Sequence, residues 1–228
     1  MSELKIKNTN ETIKVQNVFC VGKNYLEHIR EFDTPEKPAE IPKEPVVFLK
    51  PNSAIFCGNG SVTIPTFGGK KISENLQNEV ELVIVIGKDG NDIPEKSAYE
   101  YVLGYAVGID FTLRDLQNMQ KAKGLPWTTS KGFKKSAPVS EVVKKEDMPD
   151  PDDLRISLLV NEMLKQDART SHMMFSLPFI IHYVSSMFGL QRGDIIFTGT
   201  PAGITQLNPG DKIRAMIETI GEIAIEIT

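Results

Sequence analysis

The clearest pattern of apolar and polar positions along the chain lies at residues 79–86. Glu79 and Glu81 precede five consecutive apolar residues, Leu82 to Ile86, and such a run predicts a buried strand. Because side chains alternate along a strand, the two glutamates share one face, roughly 7 Å apart at about 3.3 Å per residue. Two carboxylates that close repel each other unless a cation or a shared proton lies between them. Hard oxygen ligands favour Mg²⁺, Mn²⁺ or Ca²⁺ over Zn²⁺, and the alternative is a strand end exposed to water.

Other short apolar runs, separated by turn residues, predict further strands. They cover residues 13–22, 46–49, 102–109, 154–160, 195–197, 212–217 and 222–227. Helices are predicted from Asn24, where Glu27 completes a capping box, at 95–103, after Asp110, and from Ser176 to Phe188. Residues 144–153 are charged and predict a loop. This pattern indicates an α+β, β-rich fold with short flanking helices.

Residues 24–42 predict a lid. The short capped helix precedes a polar segment, residues 33–45, whose four prolines favour a stiff and exposed tether. On the helix, His28 and Glu31 stand three residues apart and therefore meet on one face. A carboxylate beside an imidazole fixes its tautomer and raises its basicity, as a general base requires. The alternatives are a surface His–Glu pair and a plain surface loop.

Two further polar groups follow the apolar run 102–109. Asp110 ends that run and is a candidate third carboxylate for the site of Glu79 and Glu81, or else a helix cap. Arg114 and Gln117 are three residues apart on one helical face, where they can reach an anionic substrate.

Two later segments are also candidates. Lys131 precedes a glycine, and its alternative interpretation is a solvated lysine. Residues 198–203, a loop rich in threonine and glycine, follow the strand 195–197, and their backbone N–H groups suit a carboxylate. The alternative for this loop is a simple turn. His182, between two apolar residues, is interpreted as structural.

Composition excludes several classes of protein. The 228 residues carry a net charge of −4 without a basic cluster, so we expect no nucleic-acid partner. Two cysteines do not form a disulfide framework, which favours a reducing compartment. Without an apolar stretch of about 18 residues or a signal-peptide core, we expect a cytoplasmic protein that does not enter a membrane. The length suits one domain over residues 1–228, with residues 1–15 as an N-terminal extension.

Several stretches together resemble the fumarylacetoacetate hydrolase (FAH) superfamily. Each is weak alone, but their joint order covers roughly residues 16–227. They are residues 20–25 with His28 and Glu31, 45–51, 79–82, Gly104-Tyr105, Asp110 with Arg114-Asp115 and Gln117, Lys131 with Phe133, Pro138, and 193–203. Residues 123–128 and 136–140 are most similar to the FAH domain-containing protein 1 branch, which is associated with acylpyruvate hydrolysis and oxaloacetate decarboxylation.

The resemblance implies an FAH-type mixed β-sandwich or roll and a homodimer. It also implies Mg²⁺ or Mn²⁺ on Glu79, Glu81 and Asp110, with Ca²⁺ as a structural substitute. The small-molecule substrate would be a 2-keto acid.

The implied reaction is cleavage of a C–C bond through a pyruvate enolate that the cation stabilises. Lys131 would add positive charge to the enolate, and His28, oriented by Glu31, would activate the water that attacks an acylpyruvate. Arg114, Gln117 and Thr200 would contact the substrate. One alternative is an isomerase or decarboxylase of keto-dienoate acids, and another is a non-catalytic metal-binding protein of the same fold.

Overall fold

The strand Val80–Ile86 lies at the centre of the fold, and all seven of its residues are buried. In the computed structural model, which describes residues 2–34, 38–148 and 150–228, this strand pairs with Val102–Ile109 and Ile195–Phe197. The whole sheet has the order Val46–Lys50, Val18–Gly22, Ile195–Phe197, Val80–Ile86, Val102–Ile109, Ala137–Val139 and Ile55–Cys57, and Val143–Lys144 adds to Val102–Ile109.

A second sheet packs over one face of the central sheet. Its order is Met163–Arg169, Arg155–Val160, Lys212–Ile217, Gly221–Ile227 and Gly60–Val62. Smaller sheets pair Glu3–Lys5 with Thr12–Lys14, Thr66–Phe67 with Lys70–Lys71, and Leu76–Gln77 with both Thr112–Leu113 and Gln206–Leu207. The structure therefore confirms the predicted α+β, β-rich fold with short flanking helices.

Alternation along the central strand divides the core in two. Leu82, Ile84 and Ile86 belong to the larger cluster, which includes the inner face of the second sheet. Val83 and Val85 belong to a smaller cluster on the opposite face. Since side chains alternate along a strand, Glu81 shares the face of Val83 and Val85.

The described residues form four α-helices around the sheets: α1 (Leu26–Arg30), α2 (Arg114–Ala122), α3 (Thr128–Lys131) and α4 (Leu177–Phe188). Turns of 3₁₀-helix occupy Asn52–Ala54, Glu95–Tyr101, Lys145–Asp147 and Thr170–His172. Helix α4 begins and ends as predicted, because Ser176 Oγ accepts from Phe179 N at 3.3 Å and Gly189 has a φ of 68°. Among the described residues, no helix is long and apolar enough to cross a bilayer. The predicted homodimer and cytoplasmic location stay predictions.

Two local predictions need correction. The predicted strand 13–22 is two strands, because Asn17 turns to bind Asp194 through its backbone and side-chain nitrogens, both at 2.9 Å. The predicted loop 144–153 begins instead with the end of a strand and a 3₁₀ turn. The predicted N-terminal extension contains a β-hairpin whose Leu4 and Ile13 are buried in the smaller core cluster.

The capping box predicted at Asn24 is wrong. Tyr25 occupies the N-cap position of α1, and no side chain caps the helix. The Asn24 amide instead donates to the backbone oxygens of Thr198 and Phe175, and its carbonyl oxygen accepts from Phe175 N at 2.7 Å. Asn24 is completely buried, so tertiary contacts outweigh the local capping preference and fasten the start of the lid to the loop after residue 197.

We expect Asn24→Ala to lower the free energy of unfolding by about 2–4 kcal/mol, because three buried hydrogen bonds are each worth roughly 0.5–1.5 kcal/mol. Urea denaturation measures this change. Asn10→Ala, at an exposed turn, is the matched control and should shift stability by less than about 0.5 kcal/mol. Equal effects of the two substitutions would contradict the assigned role of Asn24.

Candidate active site and metal centre

The register of two neighbouring strands brings the predicted carboxylates together. Val80 pairs with Ile109 in the antiparallel ladder, and Asp110 N donates to Glu79 O at 2.8 Å. Asp110 therefore lies beside Glu79 at the end of the paired strands, on the site that Glu81 also faces. One carboxylate oxygen from each of Glu79, Glu81 and Asp110 lies within 4.8 Å of the others.

Burial makes this cluster electrostatically costly. All three carboxylates are buried, with exposed fractions of 4% or less. Burial, together with the negative charges of Asp110 and Glu79, raises the pKa of Glu81 well above its ordinary value. Burial would also raise the pKa of Glu79, but the positive charges of Lys131 and Arg114 outweigh it and lower that pKa. Among the described residues, Glu81 has no cation as a direct partner, so its negative charge is the least stabilised of the three.

Lys131 and Lys50 neutralise much of the negative charge. Lys131 Nζ lies 2.6 Å from Glu79 Oε2 and 2.6 Å from Asp110 Oδ2, which excludes the solvated alternative. Burial opposes its charge, but Asp110 and Glu79 raise the pKa of Lys131 above the ordinary value. On the other side, Lys50 Nζ lies 2.7 Å from Asp110 Oδ1 and 3.0 Å from Ser136 Oγ. Lys50 also donates to the backbone oxygen of Lys131, so it holds both groups in place.

Arg114 is positioned by the protein itself. Its guanidinium forms an ion pair with Glu79, and it donates to Gln77 Oε1 at 2.7 Å and to Gln117 Oε1 at 2.5 Å. Arg114 and Gln117 thus share the predicted face of α2, and both line the cavity described below. Their direct contact with substrate stays a prediction, because in this structure the donors serve Glu79 and its neighbours.

The residues present fit a divalent cation. Three carboxylate oxygens converge in a buried site, and hard oxygen donors of this type suit Mg²⁺ or Mn²⁺. The buried cations Lys50, Arg114 and Lys131 balance the charge of the three carboxylates. With a divalent ion bound, the site would carry two positive charges and would therefore suit a dianionic ligand.

The predicted His28–Glu31 pair is present and docked. His28 Nδ1 lies 2.7 Å from Glu31 Oε2, and Glu31 Oε1 accepts from Gly203 N at 2.7 Å. Because a carboxylate oxygen accepts, Nδ1 is the donor in this pair, and Nε2, which has no hydrogen-bond partner among the described residues, can act as a base. Gly203 has a φ of 102°, and an added Cβ would lie 1.9 Å from Lys165 O, so glycine is required where the loop receives Glu31.

Backbone N–H groups of the loop at 198–203 do bind carboxylates, and these carboxylates belong to the protein. Gly199 N donates to Glu81 Oε2 at 2.7 Å, as Gly203 N does to Glu31. The hydroxyl of Thr200 donates to Val80 O and accepts from Gln166 Nε2, both at 2.8 Å. The loop therefore holds the carboxylates of the protein, and the predicted contact of Thr200 with substrate stays a prediction, although Thr200 does line the cavity.

One cavity of about 490 Å³ joins these groups, within the roughly 300–1,000 Å³ range of small-molecule sites. The three carboxylates, Lys131, His28, Arg114, Gln117 and Thr200 all line it, together with Phe32, Phe48, Lys121, Trp127 and the lid residues Pro38 to Glu40. From the predicted lid, His28, Ile29, Phe32 and residues 38–40 thus border the site. Residues 35–37 lie outside the described residues, and the predicted mobility of the lid stays a prediction.

Lys50 is not among the site residues that the sequence predicts, whereas the structure agrees with the structural interpretation of His182. Lys50 ends the apolar run 46–49, just as Asp110 ends the run 102–109, so a charged residue closing a buried strand was the available signal. His182 Nδ1 lies 2.9 Å from the backbone oxygen of Ile93, a contact between α4 and a loop that agrees with its structural interpretation.

Comparison with known proteins identifies the class. Residues 17–228 match the family model described as fumarylacetoacetate (FAA) hydrolase C-terminal. The chain belongs to the fumarylacetoacetate hydrolase family.

Its relatives carry several activities in their names. The chain is 43% identical over 212 residues to the Mus musculus protein named oxaloacetate tautomerase FAHD1, mitochondrial, covering 93% of this chain and 91% of that protein. The fumarylpyruvate hydrolase from Pseudomonas aeruginosa, solved in complex with Mn²⁺ and pyruvate, is 34% identical with a TM-score of 0.91, covering 99% and 95%. The 2-hydroxyhepta-2,4-diene-1,7-dioate isomerase from Mycobacterium marinum is 34% identical with a TM-score of 0.80, covering 96% and 81%.

We expect Glu81→Gln to separate metal binding from stability. The neutral amide keeps an acceptor for Gly199 and removes the disfavoured charge, so the metal-free variant should melt no lower than the wild type. Mg²⁺ or Mn²⁺ at about 100 times its Kd should stabilise the wild type by about 2.7 kcal/mol and leave the variant unchanged.

Thermal melts with metal and with EDTA make this measurement. Glu226→Gln, on the exposed side of its strand, is the control and should respond to metal like the wild type. A normal metal response of Glu81→Gln would remove Glu81 from the site.

Proposed function

We propose that this protein is a divalent-cation-dependent enzyme that moves a proton between the keto and enol forms of a 2-oxo acid, with oxaloacetate as the first substrate to test. The observation that carries the proposal is the convergence on one cavity of the three carboxylates, Lys131 and His28, whose ring contacts Glu31. Relatives that span about nine-tenths of the chain and are named oxaloacetate tautomerase support the choice of reaction.

Glu79, Glu81 and Asp110 would hold the cation. When bound, Mg²⁺ or Mn²⁺ supplies a Lewis acid that polarises the 2-oxo group and favours loss of a proton from the neighbouring carbon.

The side chains supply the proton transfer. The free Nε2 of His28 would take a proton from C3 of the keto form, and Glu31 would stabilise the imidazolium through Nδ1. The ammonium of Lys131 would stabilise the negative charge that develops on the 2-oxo oxygen. Return of the proton to that oxygen completes the enol, and the reverse steps give the keto form.

Hydrolysis of an acylpyruvate is the second candidate, and the His28–Glu31 pair favours it. The same base would activate a water molecule against the distal carbonyl, and Lys131 would again stabilise the enolate leaving group, which becomes pyruvate. The structural likeness to a fumarylpyruvate hydrolase supports this candidate. Decarboxylation of oxaloacetate yields the same enolate without a water, so the products distinguish the three reactions.

We expect the wild type with Mg²⁺ to speed the decay of enol-oxaloacetate absorbance without releasing pyruvate at a comparable rate. His28→Ala should lower the tautomerisation rate by about 10²–10⁴, the usual contribution of a general base. Glu31→Gln should lower it less, because Glu31 only orients and polarises the ring.

His172→Ala, at an exposed histidine, is the matched control and should be fully active. Pyruvate release from acetylpyruvate, measured on the same preparations, tests hydrolysis. Tautomerisation by His28→Ala at the wild-type rate would sink the assignment of the base, and pyruvate release faster than tautomerisation would favour the second candidate.

A further inference from the structure

One face of helix α2 lines the cavity. Arg114, Gln117, Asn118 and Lys121 are spaced as i, i+3, i+4 and i+7, which places them on one helical face, and all four line the cavity. At 1.5 Å per residue, the backbone of Lys121 lies about 10 Å along the helix from that of Arg114. The helix therefore presents two cations to the same cavity, one from near each end of the helix.

The two cations share the ring of Phe32, whose centroid lies 5.4 Å from Arg114 Cζ and 5.4 Å from Lys121 Nζ, but they differ in their charged partners. Arg114 is paired with Glu79 at the inner end. Within the described part of the chain, Lys121 Nζ has no carboxylate within 4 Å, and it lies 5.4 Å from the ring centroid of Phe32 and 5.2 Å from that of Trp127. Aromatic faces attract an ammonium but do not neutralise its charge, so Lys121 keeps its capacity for an anion.

A second cation lines the same cavity. Lys23 Nζ donates to the backbone oxygen of Glu40 at 3.4 Å, and among the described residues neither Lys23 nor Lys121 has a carboxylate oxygen within 4 Å of its Nζ. The positive charge of Lys23 adds to that of Lys121, so this part of the cavity has capacity for an anion.

The pKa of Lys121 agrees with this environment. Although the side chain is exposed as a whole, partial burial of its ammonium between the two rings and the positive charges of Arg114 and Lys131 lower that pKa to about 8. A carboxylate that approached the ammonium would relieve this repulsion.

We propose that Lys121 determines specificity by binding the second carboxylate of a dicarboxylic 2-oxo acid whose 2-oxo carboxylate end lies at the inner carboxylate cluster. The proposal rests on the proposed function, and it adds a preference for substrates whose second carboxylate can reach Lys121. Phe32 and Trp127 would hold the ammonium above the terminal carboxylate, and Asn118, one helical turn before Lys121, adds an amide donor beside it.

Two ligands of equal length test the proposal without catalysis. 2-Oxoadipate and 2-oxohexanoate differ only in a terminal carboxylate or methyl group, and neither is an acylpyruvate. Calorimetric titration of the wild type saturated with Mg²⁺ should show 2-oxoadipate binding about tenfold more tightly, the effect of one charge-assisted hydrogen bond near solvent. Lys121→Met, which keeps the apolar stem against the rings, should remove this difference by weakening 2-oxoadipate alone, and Lys121→Arg should restore most of it.

Lys123→Met is the matched control, because Lys123 is exposed just beyond the end of α2 and does not line the cavity. It should keep the tenfold preference. Equal binding of the two ligands to the wild type, or a preference that survives in Lys121→Met, would overturn the role of Lys121 and leave the proposed function standing. Failure of both ligands to bind the wild type with Mg²⁺ would overturn the proposed function and this proposal with it.

Discussion

The structure depends on how three buried carboxylates are kept within 4.8 Å of one another. Like charges at that distance in a poorly hydrated interior repel strongly, so the fold must supply compensating charge. Lys50 and Lys131 form ion pairs with the two carboxylate oxygens of Asp110, and Arg114 forms an ion pair with Glu79. Much of the surrounding polar chemistry serves this arrangement, because Ser136 holds Lys50 and the 198–203 loop holds Glu81.

The same loop connects the acid cluster to the lid. Its first glycine donates to Glu81 and its last donates to Glu31, which in turn orients His28. A change in the position of this loop would therefore alter the metal ligands and the base together. The geometry of the base depends on the junction at which Asn24 joins the lid to Thr198. Helix α1 has five residues and depends less on a cap, which explains why Asn24 binds Thr198 rather than capping α1.

The sequence predicts the strands and the acidic residues of the site better than it predicts the groups that pair with those acids. Alternation placed Glu79 and Glu81 on one face, and the run that ends at Asp110 identified the neighbouring strand, because a period of two and a charged strand end are local signals. The pairing of Lys131 with those acids could not be predicted, since it depends on the register between distant strands and on α3. The predicted cap at Asn24 is wrong for the same reason. A local capping motif and a buried tertiary contact use the same residue types, and only packing decides between them.

A crystal structure of the protein with Mn²⁺ and oxalate, with the metal located by anomalous scattering, tests the central claim most directly. Oxalate stands for the two oxygens that a 2-oxo acid would present. The account predicts one metal peak at about 2.1 Å from oxygens of Glu79, Glu81 and Asp110, with oxalate also bound to it and Lys131 moved from between the carboxylates towards the ligand. A metal peak away from these three residues, or Lys131 still bridging Glu79 and Asp110 beside bound oxalate, would contradict it.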